Sequence, residues 1–149
     1  MTTFDFSGKK AVATGAGGAI GGEIARGLAR AGAQVAIWDI SPDAARAKAD
    51  AINQDHPDKA LPVECNAVDK NSVEQALAET LDHFGTIDLL LNGAGGSHPT
   101  TTTTPELEFF DIDPEAVQKV MDLNYLSAVI PSQAVGRVFA EKGEGAVVN

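Results

Sequence analysis

The stretch that decides the fold is Lys10–Gly21, KAVATGAGGAIG. Lys10–Thr14 reads as a buried strand. From Ile20 a helical pattern begins, with Ile20, Ile24, Leu28 and Ala31 on one stripe. Between them lies a glycine turn. A strand that passes through such a turn into a helix opens a βαβ unit. Each glycine has a physical role there. Gly15 permits a tight turn off the strand. Gly17 and Gly18 remove side chains where backbone could approach a pyrophosphate, and Gly21 lets the helix lie close to the sheet. The helix N-terminus adds unpaired N–H groups and the positive end of the dipole. The spacing is not G-x-G-x-x-G, because Ile20 holds the last position. It is G-x-x-x-G-x-G with Ala19 in place of the middle glycine.

Working outward, apolar runs keep alternating with helical patterns, which predicts a doubly wound α/β fold with a parallel sheet of about five strands. Gln34–Asp39 reads as the second strand, after Gly32 ends the first helix. Ser41 caps a helix with Pro42 in its first turn, running to about Asn53. Ala60–Cys65 is the third strand. Asn71 with Glu74 resembles a capping box for a helix whose stripe is Val73, Leu77, Leu81 and Phe84, and Gly85 ends it. Ile87–Leu91 is the fourth strand, followed by a long loop over residues 93–112 containing the Thr100–Thr104 run. Asp113 and Pro114 start a long helix to about Glu141, with a kink expected near Pro131. Residues 146–149 read as a fifth strand, and no internal domain boundary is visible.

Asp39 ends the second strand at the offset where a carboxylate can accept hydrogen bonds from both adenosine ribose hydroxyls. The same charge would repel a 2′-phosphate. No Arg or Lys stands in the glycine turn or directly after Asp39, so the expected cofactor is NAD and not NADP.

Composition narrows the classes. The chain has 149 residues, 44% hydrophobic and 21% charged, which is globular and not disordered. Its longest apolar runs are a few residues, such as Leu89–Leu91, too short to span a bilayer. No apolar stretch follows the first charges, so no secretory signal is expected. One cysteine, Cys65, leaves no internal disulfide and no Cys-based zinc cage. His56, His83 and His98 are too scattered to suggest a metal site. A net charge of −10 repels phosphate backbones, so nucleic acid is not an expected partner, and a cytoplasmic protein is expected.

Together these motifs resemble the short-chain dehydrogenase/reductase family over the whole chain. Thr14–Gly21 is similar to its T-G-x-x-x-G-x-G turn, with Ala19 as the departure. Cys65-Asn66-Ala67 stands where the family has Asp-Val against the adenine, and Asn66 keeps hydrogen-bonding capacity as a neutral amide. Asn92-Gly93-Ala94-Gly95 is similar to Asn-Asn-Ala-Gly, with Gly93 replacing one Asn. Asn124, within Asp-Leu-Asn-Tyr-Leu, resembles the helix asparagine that holds a water in the family's proton relay. The resemblance implies a cofactor site of Gly15, Gly17, Gly18, Ala19, Ile20, Gly21, Asp39, Ile40, Asn66, Ala67, Asn92, Gly93 and Ala94, with Asn124 as a catalytic residue. A narrower resemblance, carried by Asn92–Pro99, Phe109–Asp113 and Pro131-Ser132-Gln133, is to the D-mannonate or fructuronate oxidoreductase-like members. It makes His98 a candidate for a substrate carboxylate or hydroxyl, beside the alternative of a surface loop histidine.

The family also implies a catalytic Ser and a Tyr-x-x-x-Lys pair on one helix. The one tyrosine, Tyr125, has Val129 four residues on, so it reads as helix packing beside Asn124. Residues 1–149 are therefore expected to be an incomplete NAD-binding domain without turnover of its own. The implied parent enzyme would interconvert a secondary alcohol and a ketone, and its full-length form would be a homo-oligomer. A stand-alone nucleotide-binding module and a doubly wound methyltransferase are the alternatives. The apolar last strand and the unexplained Asn-Gly-Ala-Gly element count against them.

Overall fold

The computed structural model describes residues 4–149. Five parallel strands stand in the order β3-β2-β1-β4-β5. They are β1 (Lys10–Thr14), β2 (Gln34–Asp39), β3 (Ala60–Glu64), β4 (Leu89–Asn92) and β5 (Ala146–Val148). The connecting helices are α1 (Ala19–Arg30), α2 (Pro42–Asp55), α3 (Lys70–Phe84) and α4 (Pro114–Lys142). The central strands are apolar between their end residues because both of their faces are covered. One core, with Ala25, Val35, Ile37, Ala49 and Ile52, fills the space under α1 and α2. The other, with Val12, Trp38, Val73, Leu90 and Val135, lies under α3 and α4. Trp38 is fully buried, and its Nε1–H donates to Thr80 Oγ1 at 2.9 Å, which ties β2 to α3.

Strand order reverses between β1 and β4. Thr14 pairs in register with both Trp38 and Asn92, so the carboxyl ends of β2, β1 and β4 meet along one edge. In open α/β sheets that reversal leaves a crevice outside the strand ends where ligands bind.

Several local expectations are corrected. Ile20 and Ile24 do not face the sheet; they are 81% and 44% exposed. Helix α1 instead buries Gly21, Gly22, Ala25 and Ala29. A Cβ at Gly21 would stand 2.9 Å from Gly15 O, so close approach selects small residues on this face. The cap of α3 is not the Asn71–Glu74 box. Asp69 accepts from Ser72 N at 2.8 Å, so cap and helix start both lie two residues earlier, at Asp69 and Lys70. Tyr125 does not pack; it is 69% exposed. Strand β3 stops at Glu64 and β4 starts at Leu89. The long loop carries two single 3-10 turns, Pro99–Thr101 and Phe109–Asp111. Helix α4 runs through Pro131, and its N-cap Asp113 accepts from Glu115 N at 2.9 Å.

Candidate functional site

A cleft of about 470 Å³ opens at the carboxyl edge, within the size range of small-molecule sites. Gly15 and Gly18 lie on its floor, Asp39, Ile40, Asn66 and Ala67 on one side, and Gly93 and Ala94 on the other. Eight of the residues expected at a cofactor site therefore share one cavity. Gly17, Ala19, Ile20 and Gly21 belong to the same turn and the first turn of α1 but stand outside that lining. Asn92 sits at the end of β4. Its Nδ2 donates to Ser132 Oγ at 2.9 Å and to Asn149 Oδ1 at 2.8 Å, and its buried Oδ1 has no partner among the described residues.

The turn is built from backbone and one carboxylate. Gly15 has φ +62°, and a Cβ there would come within 2.7 Å of Ala94 Cα. Gly17 N–H donates to Asp39 Oδ2 at 3.0 Å, and Ser41 N–H donates to Asp39 Oδ1 at 3.0 Å. These two bonds hold the carboxylate in place and leave each oxygen a further lone pair. A Cβ at Gly17 would lie 2.8 Å from Asp39 Oδ2, so the glycine keeps the carboxylate open. Helix α1 has Gly18 as its N-cap, no side-chain capping bond and no acidic residue in its first turn. Its first N–H groups and positive dipole end are thus available to an anion.

Asn66 is shaped by the loop after β3. Its Oδ1 accepts from Val68 N at 3.3 Å and its backbone N–H donates to Ser72 Oγ at 2.9 Å. The amide retains its Nδ2 hydrogens and one Oδ1 lone pair, a donor and an acceptor side by side, which suits the edge of an adenine. Exposed Ile40 offers an apolar surface next to Asp39. Burial pushes the neighbouring Cys65 thiol up to about 12, so it stays protonated at neutral pH. No group of three or more His, Cys, Asp or Glu among the described residues could hold a metal ion. No helix among them is long and apolar enough to cross a membrane.

The opposite wall is held by hydroxyls and amides. Thr14 Oγ1 accepts from both Gly93 N and Ala94 N at 3.1 Å. Asn124 clamps Gly96: its Oδ1 accepts from Gly96 N at 3.0 Å and its Nδ2 donates to Gly96 O at 2.8 Å. The same Nδ2 donates to Val120 O at 2.8 Å. Fully buried Ser127 donates to Ala94 O at 2.8 Å and lines the cleft. Thr14 as a double acceptor and Ser127 were missed in the sequence. The available signal was position: Ser127 lies three residues after Asn124, one turn along the same face of a helix.

His98 lies outside this cleft. It is exposed, its Nδ1 is 2.8 Å from Thr100 Oγ1, and it caps the first 3-10 turn. Across Gly96 a second, open cleft of about 920 Å³ is lined by Thr101–Thr103, Phe109, Ile112, Val117 and Met121, with no charged side chain on its wall.

The sequence profile described as short chain dehydrogenase matches residues 9–149. An uncharacterized oxidoreductase of Bacillus subtilis (strain 168) is 33% identical over 97% of this chain and 55% of its own length. The sorbose reductase of Candida albicans is 32% identical over 99% of this chain and 50% of its own length. Among solved structures, a Haemophilus influenza protein provisionally described as a D-mannonate oxidoreductase, with bound NAD, superposes with a TM-score of 0.82. It is 32% identical and covers 90% of this chain and 51% of that one. The chain thus spans about half the length of the curated relatives it matches. A match that runs from the first strand to residue 149 means that the chain belongs to the short chain dehydrogenase family.

Proposed function

We propose that the chain is the NAD-binding part of an oxidoreductase acting on a secondary alcohol or its ketone. The observation that carries this reading is the Asp39 carboxylate, held at the cleft wall by Gly17 and Ser41 N–H groups with lone pairs to spare. Bound there, NAD would supply a nicotinamide carbon that accepts or returns hydride. The chain's residues then have these tasks. Asp39 accepts from the two adenosine ribose hydroxyls and repels a 2′-phosphate. Asn66 faces the adenine edge above Ile40 and Ala67. The first N–H groups of α1, at Ala19 and Ile20, face the pyrophosphate. Gly93 and Ala94 form the wall on the nicotinamide side. Asn92 braces that wall from behind, and Asn124 holds the segment beside it. These residues fit the group, because glycines keep the cradle open where a Cβ would fill it.

The reading extends to a sugar acid such as mannonate or fructuronate, supported by the Asn92–Pro99 and Phe109–Asp113 motifs. The second cleft offers no cation for a carboxylate, so His98 or a residue outside that cleft supplies the recognition. The 149-residue chain alone has no turnover in this reading, because no Tyr-x-x-x-Lys occurs in it. A cytoplasmic setting and a homo-oligomeric full-length form complete it.

The test is Asp39→Ala with NAD and NADP binding measured side by side by calorimetry. Loss of two charge-assisted hydrogen bonds weakens NAD by about tenfold to a hundredfold. NADP does not weaken, so the discrimination collapses. Unchanged affinities for both remove Asp39 from the site. NAD reduction by the pure 149-residue chain with any alcohol overturns the claim of no turnover.

A further inference from the structure

We propose that Ser127 is a positioning residue that sets the plane of the Ala94–Gly95 peptide and thereby shapes the nicotinamide-side wall of the cleft. The inference rests on the dinucleotide reading above and deepens it. Ser127 is fully buried near the middle of α4, and its Oγ–H reaches Ala94 O at 2.8 Å across 33 residues of sequence. A serine at a buried helix position usually returns its hydroxyl to its own helix. Here it leaves the helix for a loop carbonyl that also lines the cleft.

The consequence follows from peptide geometry. No cis bond occurs among the described residues, so Ala94 C=O and Gly95 N–H point in opposite directions. Drawing the carbonyl onto Ser127 turns Gly95 N–H away from it. The N–H groups on either side are already committed, those of Gly93 and Ala94 to Thr14 and that of Gly96 to Asn124. Gly95 N–H has no partner among the described residues, and Gly95 lines the cleft. Side-chain relief is absent at this point: a Cβ on Gly95 would meet Asn124 Oδ1 at 2.5 Å. The wall thus presents one oriented backbone donor, and a single hydroxyl fixes its direction. Its partner is a hydrogen-bond acceptor on the half of the dinucleotide beyond the pyrophosphate. In the dinucleotide reading the adenosine half lies against Asp39 and Asn66, on the β2 side of the cleft.

The experiment compares NAD with AMP, which lacks the nicotinamide half. In Ser127→Ala, NAD affinity falls about fivefold to tenfold, the size of one neutral hydrogen bond, while AMP affinity stays within about twofold. Ser127→Cys, which keeps a weak donor at nearly the same volume, recovers part of the NAD affinity and carries the comparison if the alanine variant does not fold. A parallel loss of AMP binding means that Ser127 only supports the fold, and overturns the proposal. Unchanged NAD binding in Ser127→Ala overturns it as well. If the wild-type chain binds neither AMP nor NAD, the dinucleotide reading falls and takes this inference with it; if it binds both, only Ser127 is at stake.

Discussion

The two walls of the cleft are built on opposite principles. On the β2 side, the turn and Asp39 are joined by a single helix: Gly17 is 22 residues from Asp39, and Ser41 is two. Absence of side chains is the main device there. On the β4 side, the segment Gly93–Gly96 is held by side chains from far away. Asn124 acts across 28 residues, Ser127 across 33 and Thr14 across 79 and 80. The first wall is rigid because little else fits; the second depends on anchors in both β1 and α4. Substitution should therefore act by crowding on the first wall and by lost anchorage on the second.

Gly15 tests where the walls meet, and the largest effect is expected there. A Cβ at this residue would strike Ala94 Cα of the opposite wall, and its φ of +62° disfavours any side chain. Gly15→Ala should cost about 3 kcal/mol or more, combining left-handed strain with forced displacement of backbone. Urea unfolding measures it. A loss below about 1 kcal/mol would show that the walls move apart easily, and the contrast between them would fail. Next in size stands the loss of NAD binding in Asp39→Ala, confined to the first wall.

The same contrast explains what the sequence disclosed. The glycine turn, Asp39 at a strand end, the parallel α/β order and the cap at Ser41 were legible because each is written in short stretches of sequence. Helix α1 was misread for a related reason. Periodicity assigns large apolar residues to the core, yet close approach to the turn admits only Gly21, Gly22, Ala25 and Ala29 there. Ile20 and Ile24 were displaced to the surface. Ser127 was illegible because its partner is set by the docking of α4, and the double acceptance by Thr14 because it follows from the pairing of β1 with β4; no local pattern encodes either. Asp69 displaced the Asn71–Glu74 box because a cap is decided by which residue holds extended backbone as the chain leaves β3, and that depends on where β3 ends.

A smaller effect probes what the walls share beneath. Asp88 precedes β4 and ties its lower end to β1: its Oδ2 accepts from Lys10 N at 2.8 Å. Its Oδ1 pairs with Lys142 at the end of α4 and stands 3.7 Å from Lys9. Burial pulls its carboxyl upward, but the Lys142 and Lys10 hydrogen bonds and the charges of Lys142 and Lys9 outweigh it and hold it below the usual value. A lowered folded value means that the ion form stabilises the fold above the unfolded carboxylate range, near about pH 4, and that this is lost as pH falls through the folded value. Asp88→Asn should therefore be less stable than wild type at pH 7, by about 1 kcal/mol or less for a pair so near solvent. The gap should close as pH drops below about 4. A gap that is constant from pH 7 to pH 3 would assign the effect to packing and not to charge.

The smallest effect separates the second wall from the loop that follows it. His98 caps a three-residue turn with its own ring, and its hydrogen bonds go to Thr100, Thr101 and Thr102, not to Asn124, Ser127 or Thr14. If the second wall owes its order to those three residues, His98→Ala should leave stability within about 0.5 kcal/mol and NAD affinity unchanged. A substrate role would show elsewhere, as a raised KM for a sugar acid in the full-length enzyme with NAD binding intact. Weaker NAD binding in His98→Ala would mean that order in the wall reaches through Gly96 into the threonine loop. The two clefts would then have to be treated as one coupled surface, with α4 as their common support.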